Sequence, residues 1–343
     1  MRLTNLDALR GLLAIFVMIF HYDTEYMPSF KHNFFIREAG NFVIFFFILS
    51  GFIVSNRYPK INFKNFLKRR FFRLFPLLFY TNTIFLIFIC TGIFLFNDVL
   101  SYDYEILKIF KSYFDGILFT NSTPIFRQNI IINPPSWSVS AEMISYLFFT
   151  LVLTINLRIS RSLLHIILSL IIFSLLLIND FYNTPFAGFL VGVVSFNTGM
   201  FLNQIYLKNK GIAVSNLKVL FYSCLIPIYF FITYSFFDDL FFKKILDLFF
   251  YQFLFGAIVL IFAIKNLRIL NLNFFQFLGK ISYSIYLNHA IVIIVIPKVF
   301  FRLFSFQLNT INTWIVFILS LLIVILYSHF TYSKIESRFY KIK

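Results

Sequence analysis

Long apolar runs recur along the whole chain, separated by shorter polar stretches. Their length matches the ~20 residues an α-helix needs to cross the hydrocarbon core of a bilayer. Ten runs can be drawn, at about 8–23, 39–55, 74–96, 138–156, 163–178, 186–205, 218–236, 247–264, 281–300 and 312–332. The pattern predicts an all-α polytopic integral membrane protein, one transmembrane domain over residues 1–343 with no appended soluble domain. The first run lacks a small-residue cleavage site and opens a multi-span pattern, so no cleavable signal peptide is expected.

The polar stretches alternate in charge. Residues 56–73 carry Arg57, Lys60, Lys64, Lys68, Arg69, Arg70 and Arg73 and no acid. Arg158 and Arg161, Lys208 and Lys210, Lys265 and Arg268, then Lys334, Arg338, Lys341 and Lys343 mark later basic stretches. The stretches between them hold Asp23, Glu25 and Glu38, then Asp98, Asp103, Glu105 and Asp115, then Asp180, then Asp238, Asp239 and Asp247. By the positive-inside rule both termini are cytoplasmic.

Composition sharpens this picture. A chain that is 60% hydrophobic, with 54 phenylalanines, does not describe a soluble domain. The net charge of +16 alone would suggest a nucleic-acid partner. Its distribution assigns it instead to orientation and to anionic lipid head groups, so the expected partner is the lipid bilayer and no nucleic acid. Cys90 and Cys224 fall within apolar runs and no CxxC spacing is present, so neither a disulfide framework nor a metal site is expected.

Ionisable residues inside apolar runs are costly and usually face a protein interior or a water-filled cavity. The first run, from Leu9 to His21, carries two, Arg10 and His21. Eleven residues are about three helical turns, which returns both side chains to within ~20° of one face, roughly 16 Å apart along the axis. A histidine at the deep end changes charge near neutral pH, as a general base requires.

Four further patches stand out. Ser50-Gly51 in the second run allows close helix approach, which is packing or more than packing. Arg69, Arg70 and Arg73 precede Leu74-Phe75-Pro76 and, on a helix, span an arc of about 100° at the cytoplasmic surface. They bind phosphate through forked donors or simply anchor the topology. Asn133-Pro134-Pro135-Ser136-Trp137-Ser138 closes the longest external loop, about 97–137, and carries Glu142 into the fourth run on the face of Ser138. Glu142 is either a functional carboxylate or half of an interhelical ion pair with Arg10 or a protonated histidine. In the ninth run Ser282, Tyr286 and His289 recur at i, i+4 and i+7, either lining a path or bonding neighbouring helices. His32, His165 and His329 lack such a stripe and read as background.

In order along the chain, Leu6-Asp7-Ala8-Leu9-Arg10-Gly11 with His21, Phe46-Phe47-Ile48-Leu49-Ser50-Gly51-Phe52, Arg69-Arg70-Phe71-Phe72-Arg73-Leu74-Phe75-Pro76, Trp137-Ser138-Val139-Ser140-Ala141-Glu142 and Ser282-Tyr283-Ser284-Ile285-Tyr286-Leu287-Asn288-His289 resemble the motifs of acyltransferase family 3, with Ile335-Glu336 as a weaker terminal match. The resemblance runs from residue 6 to about 340. It departs at Ala141-Glu142-Met143, where many members place a second acid or a glutamine after the glutamate. It implies transfer of an acyl group, usually acetyl, from acetyl-CoA as donor substrate, with no permanently bound cofactor. The implied acceptor is a hydroxyl of a glycan, and the implied location is the bacterial inner membrane. It assigns Arg10 and His21 as the essential pair and Arg69, Arg70 and Arg73 to the donor. In this reading His21 is the base, Glu142 orients its imidazole, and Arg10 stabilises developing charge or guides the donor arm. Trp137, Ser138, Ser282, Tyr286 and His289 would line the acceptor path. Direct transfer and an acyl-histidine relay both satisfy these residues. Competing readings are another acyl group such as succinyl, a non-glycan acceptor, or a glycan polymerase or transporter.

Overall fold

Apolar helices with few charges have to bury their polar groups against one another, and the chain does this in a bundle. The structure, a computed structural model, describes residues 3–22, 27, 30, 32–58, 62–96, 106–126, 132–154, 160–178, 188–209, 214–236 and 240–339. Helix α1 (Thr4–His21) is followed by a short α2 (Phe34–Glu38), which leads through a 3-10 turn into α3 (Phe42–Arg57). Next come α4 (Phe63–Phe96), α5 (Ile106–Ile117), α6 (Ser136–Thr154), α7 (Arg161–Ile178) and α8 (Gly188–Lys208). The chain continues through α9 (Asn216–Phe236), α10 (Leu240–Ile264), α11 (Asn273–Lys280), α12 (Ser282–Lys298) and α13 (Thr310–Thr331). A π-turn, Tyr332–Glu336, then leads into α14 (Ser337–Phe339).

Among the described residues there is no strand, and nine helices are long and apolar enough to cross a membrane. The remaining run is α7, whose apolar stretch, Leu163–Leu176, is shorter. Its 18 residues extend about 27 Å, close to the core thickness. The acids Asp23, Glu25, Asp98, Asp103, Glu105, Asp180, Asp238 and Asp239, and the bases Lys60, Arg158, Lys210, Lys341 and Lys343, lie outside the described residues.

Two elements differ from the sequence expectation. Residues 63–73 are not loop but the first turns of α4, a 34-residue helix roughly 51 Å long. Lys, Arg and Leu form helix readily, and a basic segment sets topology without ending a helix. Pro76 lies within α4, and near it the Tyr283 hydroxyl of α12 donates to the Leu74 carbonyl at 2.7 Å. The second difference is α5, inside the long external loop. Its Ile109, Ser112, Tyr113 and Gly116 face inward at helical spacing. Tyr113 reaches Thr83 of α4 at 3.1 Å, and Ser112 accepts from the Ile132 amide at 3.2 Å.

Glycines fix the crossings that matter for the site. A Cβ on Gly51 would strike the Phe196 carbonyl, and one on Gly199 would strike the Ile48 carbonyl, so α3 and α8 touch backbone to backbone. Gly11 meets the Leu278–Gly279 backbone in the same way, which locks α1 against α11. That contact sets the rotation of α1 and turns Arg10 toward the start of α12. Stacked aromatics fill the core beside α3, with Phe45–Phe255 centroids at 4.8 Å and Tyr251–Phe255 at 5.0 Å.

Candidate active site

Four helices meet around a cleft. Helix α1 contributes Arg10, α3 contributes Ser50, α6 contributes Ser138 and Glu142, and α12 contributes Ser282 and Tyr286. Each set follows from local geometry. Ser138 and Glu142 are four residues apart on α6, as are Ser282 and Tyr286 on α12, so each pair shares a face. Val43, Phe46, Phe47 and Val139 supply the apolar walls. Polar groups from four of the five sequence motifs thus share one concavity inside an otherwise apolar bundle.

The carboxylate of Glu142 is anchored through one oxygen. Ser50 donates to Oε1 at 2.8 Å, and Tyr146, one turn further along α6, donates to the same atom at 2.5 Å. Glu142 is half-buried, and drawing a carboxylate away from water costs free energy that each hydrogen bond to a charged group offsets by about 1.5–3 kcal/mol. Ser50 and Tyr146 therefore offset much of the cost of placing an acid here. Ser50 resolves the Ser-Gly alternative at α3, since the glycine packs on α8 while its neighbour holds the acid. Ser138 and Tyr286 join their hydroxyls at 2.8 Å, tying α6 to α12.

Beyond Tyr146 lies Arg70, 5% exposed. Its guanidinium sits 5.1 Å from the Tyr58 ring centroid and 5.2 Å from those of Phe66 and Tyr146. The three rings form an aromatic box for a cation. Its Nε is buried without a hydrogen-bond partner. The three arginines therefore do not form one surface patch, as the sequence suggested. Arg69 is exposed and Arg73 half-buried, whereas Arg70 points inward. One residue turns a helix by 100°, enough to carry Arg70 off the face shared by Arg69 and Arg73.

At the other end of α1, His21 is exposed and stacks on His289, with ring centroids 5.3 Å apart and planes at 24°. His289 is fully buried, and the Tyr286 ring stands edge-on to it at 5.9 Å. Tyr286 thus belongs both to the Arg10–Glu142 cleft and to the histidine pair.

Two expected contacts take another form. The structure does not bring Glu142 and His21 together. The Glu142 carboxylate is held by Ser50 and Tyr146, toward the Arg10 end of the cleft, while His21 pairs with His289. Trp137 does not line the cleft with Ser138, because its ring packs against Phe47 at 6.2 Å and under Gly188, where a Cβ would meet it at 2.7 Å. Tyr146 and Ser50 are the partners that sequence reasoning missed. Tyr146 had a signal, since it sits four residues after Glu142.

The terminal Ile335-Glu336 match also has a physical role. Glu336 is buried and accepts from Ser284 of α12 at 2.7 Å, while Asn288 donates to Thr331 at 2.7 Å. These bonds hold the face of α12 opposite the cleft.

A polar cleft that gathers an acid, a cation and hydroxyls at the centre of an apolar helical bundle defines a multi-pass membrane protein with an internal chemical site. The profile of the acyltransferase domain matches residues 3–329, nearly the whole chain, and the chain belongs to that family, acyltransferase family 3. It is a membrane acyltransferase, which sets aside the polymerase and transporter readings. No curated protein and no solved structure matches it.

Proposed function

We propose that this chain is a bacterial inner-membrane O-acetyltransferase that moves acetyl from acetyl-CoA to a hydroxyl of a surface polysaccharide or its lipid-linked precursor. The observation that carries the reading is the single cleft shared by Arg10, Glu142 and Tyr286, with the exposed His21 stacked beyond it. Acetyl-CoA is cytoplasmic and surface glycans are not, so donor and acceptor approach from opposite ends. The basic stretches assign the Arg10 end to the cytoplasm.

His21 takes the acceptor hydroxyl proton while the oxygen bonds to the thioester carbonyl carbon. The C–S bond breaks, and the coenzyme A thiolate takes a proton from the imidazolium. Arg10 lies roughly 16 Å from His21 along the α1 axis, too far to serve the same carbonyl. Its role is therefore to guide the extended donor arm through the cleft, with Glu142 held in place opposite it. Arg69 and Arg73, at the basic end of α4, meet the coenzyme A phosphates, while Arg70 supports Tyr146 and Glu142 from its aromatic box.

The test is acetyl transfer itself. Membranes holding the chain should consume acetyl-CoA and raise base-labile ester in the purified surface glycan, measured by mass. Consumption of succinyl-CoA alone, or ester in a lipid fraction without glycan, overturns the acetyl or the glycan assignment respectively.

A further inference from the structure

His289 is 0% exposed, yet one of its ring nitrogens is unmet. Nδ1 lies 3.3 Å from the Ile285 carbonyl, one turn earlier on α12. A carbonyl only accepts, so Nδ1 carries the hydrogen and the neutral ring leaves Nε2 as a bare acceptor. Nε2 is buried without a hydrogen-bond partner. Buried acceptors are nearly always paired, and an exception calls for a donor from elsewhere.

The neighbours do not supply that donor. The Tyr286 hydroxyl is engaged with Ser138. His21 stacks on His289 nearly face to face, so its ring N–H groups, which lie in the ring plane, do not aim at Nε2. Asn288, the adjacent residue, donates to Thr331 on the far side of α12.

The geometry points to His289 Nε2 as a second hydroxyl-binding atom of the acceptor site, beside His21, and so to an acceptor with neighbouring hydroxyls, as on a sugar ring. This rests on the acetyl-transfer reading. One hydroxyl gives its proton to His21 as its oxygen bonds to the acyl carbon and the C–S bond breaks. The adjacent hydroxyl donates a hydrogen bond to Nε2 and keeps its proton. His289 thus binds and orients while His21 moves the proton. A simple alcohol would leave Nε2 unmet.

The experiment uses the full chain in detergent, radiolabelled acetyl-CoA and the glycolipid fraction of the producing cells as titrated acceptor. His289→Phe keeps a flat stacking ring and removes the nitrogen. His289→Gln places an amide oxygen near the position of Nε2. Phe should raise the acceptor KM roughly tenfold or more while leaving the acetyl-CoA KM within about twofold, and Gln should recover most of the loss. Wild-type acceptor dependence in His289→Phe, or Gln no better than Phe at equal folded abundance, overturns the proposal. Should the variants not fold, the wild-type product decides. The ester should sit next to a free or second esterified hydroxyl, and an ester on an isolated hydroxyl overturns the proposal. Absence of labelled glycan with the wild-type chain overturns the transfer reading itself, before His289 is at issue.

Discussion

Two buried histidines lie in different parts of this bundle, and they differ in what surrounds them. His165 of α7 is tied to Asn197 of α8, with Nδ1 at 2.6 Å from Oδ1, while Asn197 donates back to the His165 carbonyl at 2.8 Å and to Ser169 at 2.7 Å. That set joins two helices. His289 is equally buried but keeps an open nitrogen and leans on a second, exposed histidine. Burial alone therefore does not mark a functional histidine. What separates the two is whether neighbouring side chains use up their hydrogen-bonding capacity.

The largest effect that tests this contrast is at His21. His21→Ala should lower ester formation by at least ~10²-fold at near-normal membrane abundance, since an exposed ring contributes little packing. His165→Ala should do the reverse, reducing folded abundance while the folded fraction keeps transferring. Labelled ester per folded protein, quantified by fluorescence-detected gel filtration, reads both. Retention of more than about a tenth of wild-type transfer in His21→Ala would remove the general base.

Next in size is Glu142. Glu142→Gln keeps the volume but removes the charge that Ser50 and Tyr146 stabilise, and transfer should fall roughly 10–100-fold. Asn197→Asp, the matching change on the α7–α8 side, should alter thermal stability more than kcat. Equal loss of activity in both would mean that the two regions do not differ as the hydrogen bonds indicate.

The arginines give a smaller split. Arg73→Lys loses the forked donor set and should raise the acetyl-CoA KM several-fold, to an order of ~3–10, with kcat nearly unchanged. Arg70→Lys should instead lower stability, because a point ammonium fills the aromatic box poorly. An unchanged donor KM in Arg73→Lys would return that residue to topology alone.

The smallest effect on chemistry should come from the helix crossing. Gly199→Ala forces α3 and α8 apart and should cost about 1–3 kcal/mol of stability, read as a lower melting midpoint. Transfer by the folded fraction should stay within about twofold, because Gly199 itself lines no part of the cleft. A much larger activity loss would show that α3 positions Ser50 through this crossing.

The sequence by itself determined the long apolar helices. Nine of the ten apolar runs match helices long and apolar enough to cross a membrane among the described residues, because a bilayer demands length and hydrophobicity locally, and both are readable residue by residue. The motifs also gave most of the site's membership, Arg10, Ser138, Glu142, Ser282 and Tyr286, since a polar residue in an apolar run is conspicuous. What the sequence could not decide was pairing. Glu142 has several possible partners on the sequence, and the helix rotations place it with Ser50, 92 positions away, and with Tyr146 on its own helix. Arg70 stands beside Arg69 and Arg73 in sequence, but the rotation of α4 turns it inward. The stack of His21 on His289 joins the first and the ninth runs. Each of these contacts depends on how a helix is turned about its axis. That angle is set by where backbones touch, as at Gly11 with Gly279 and Gly51 with Phe196, and no helix carries that information alone.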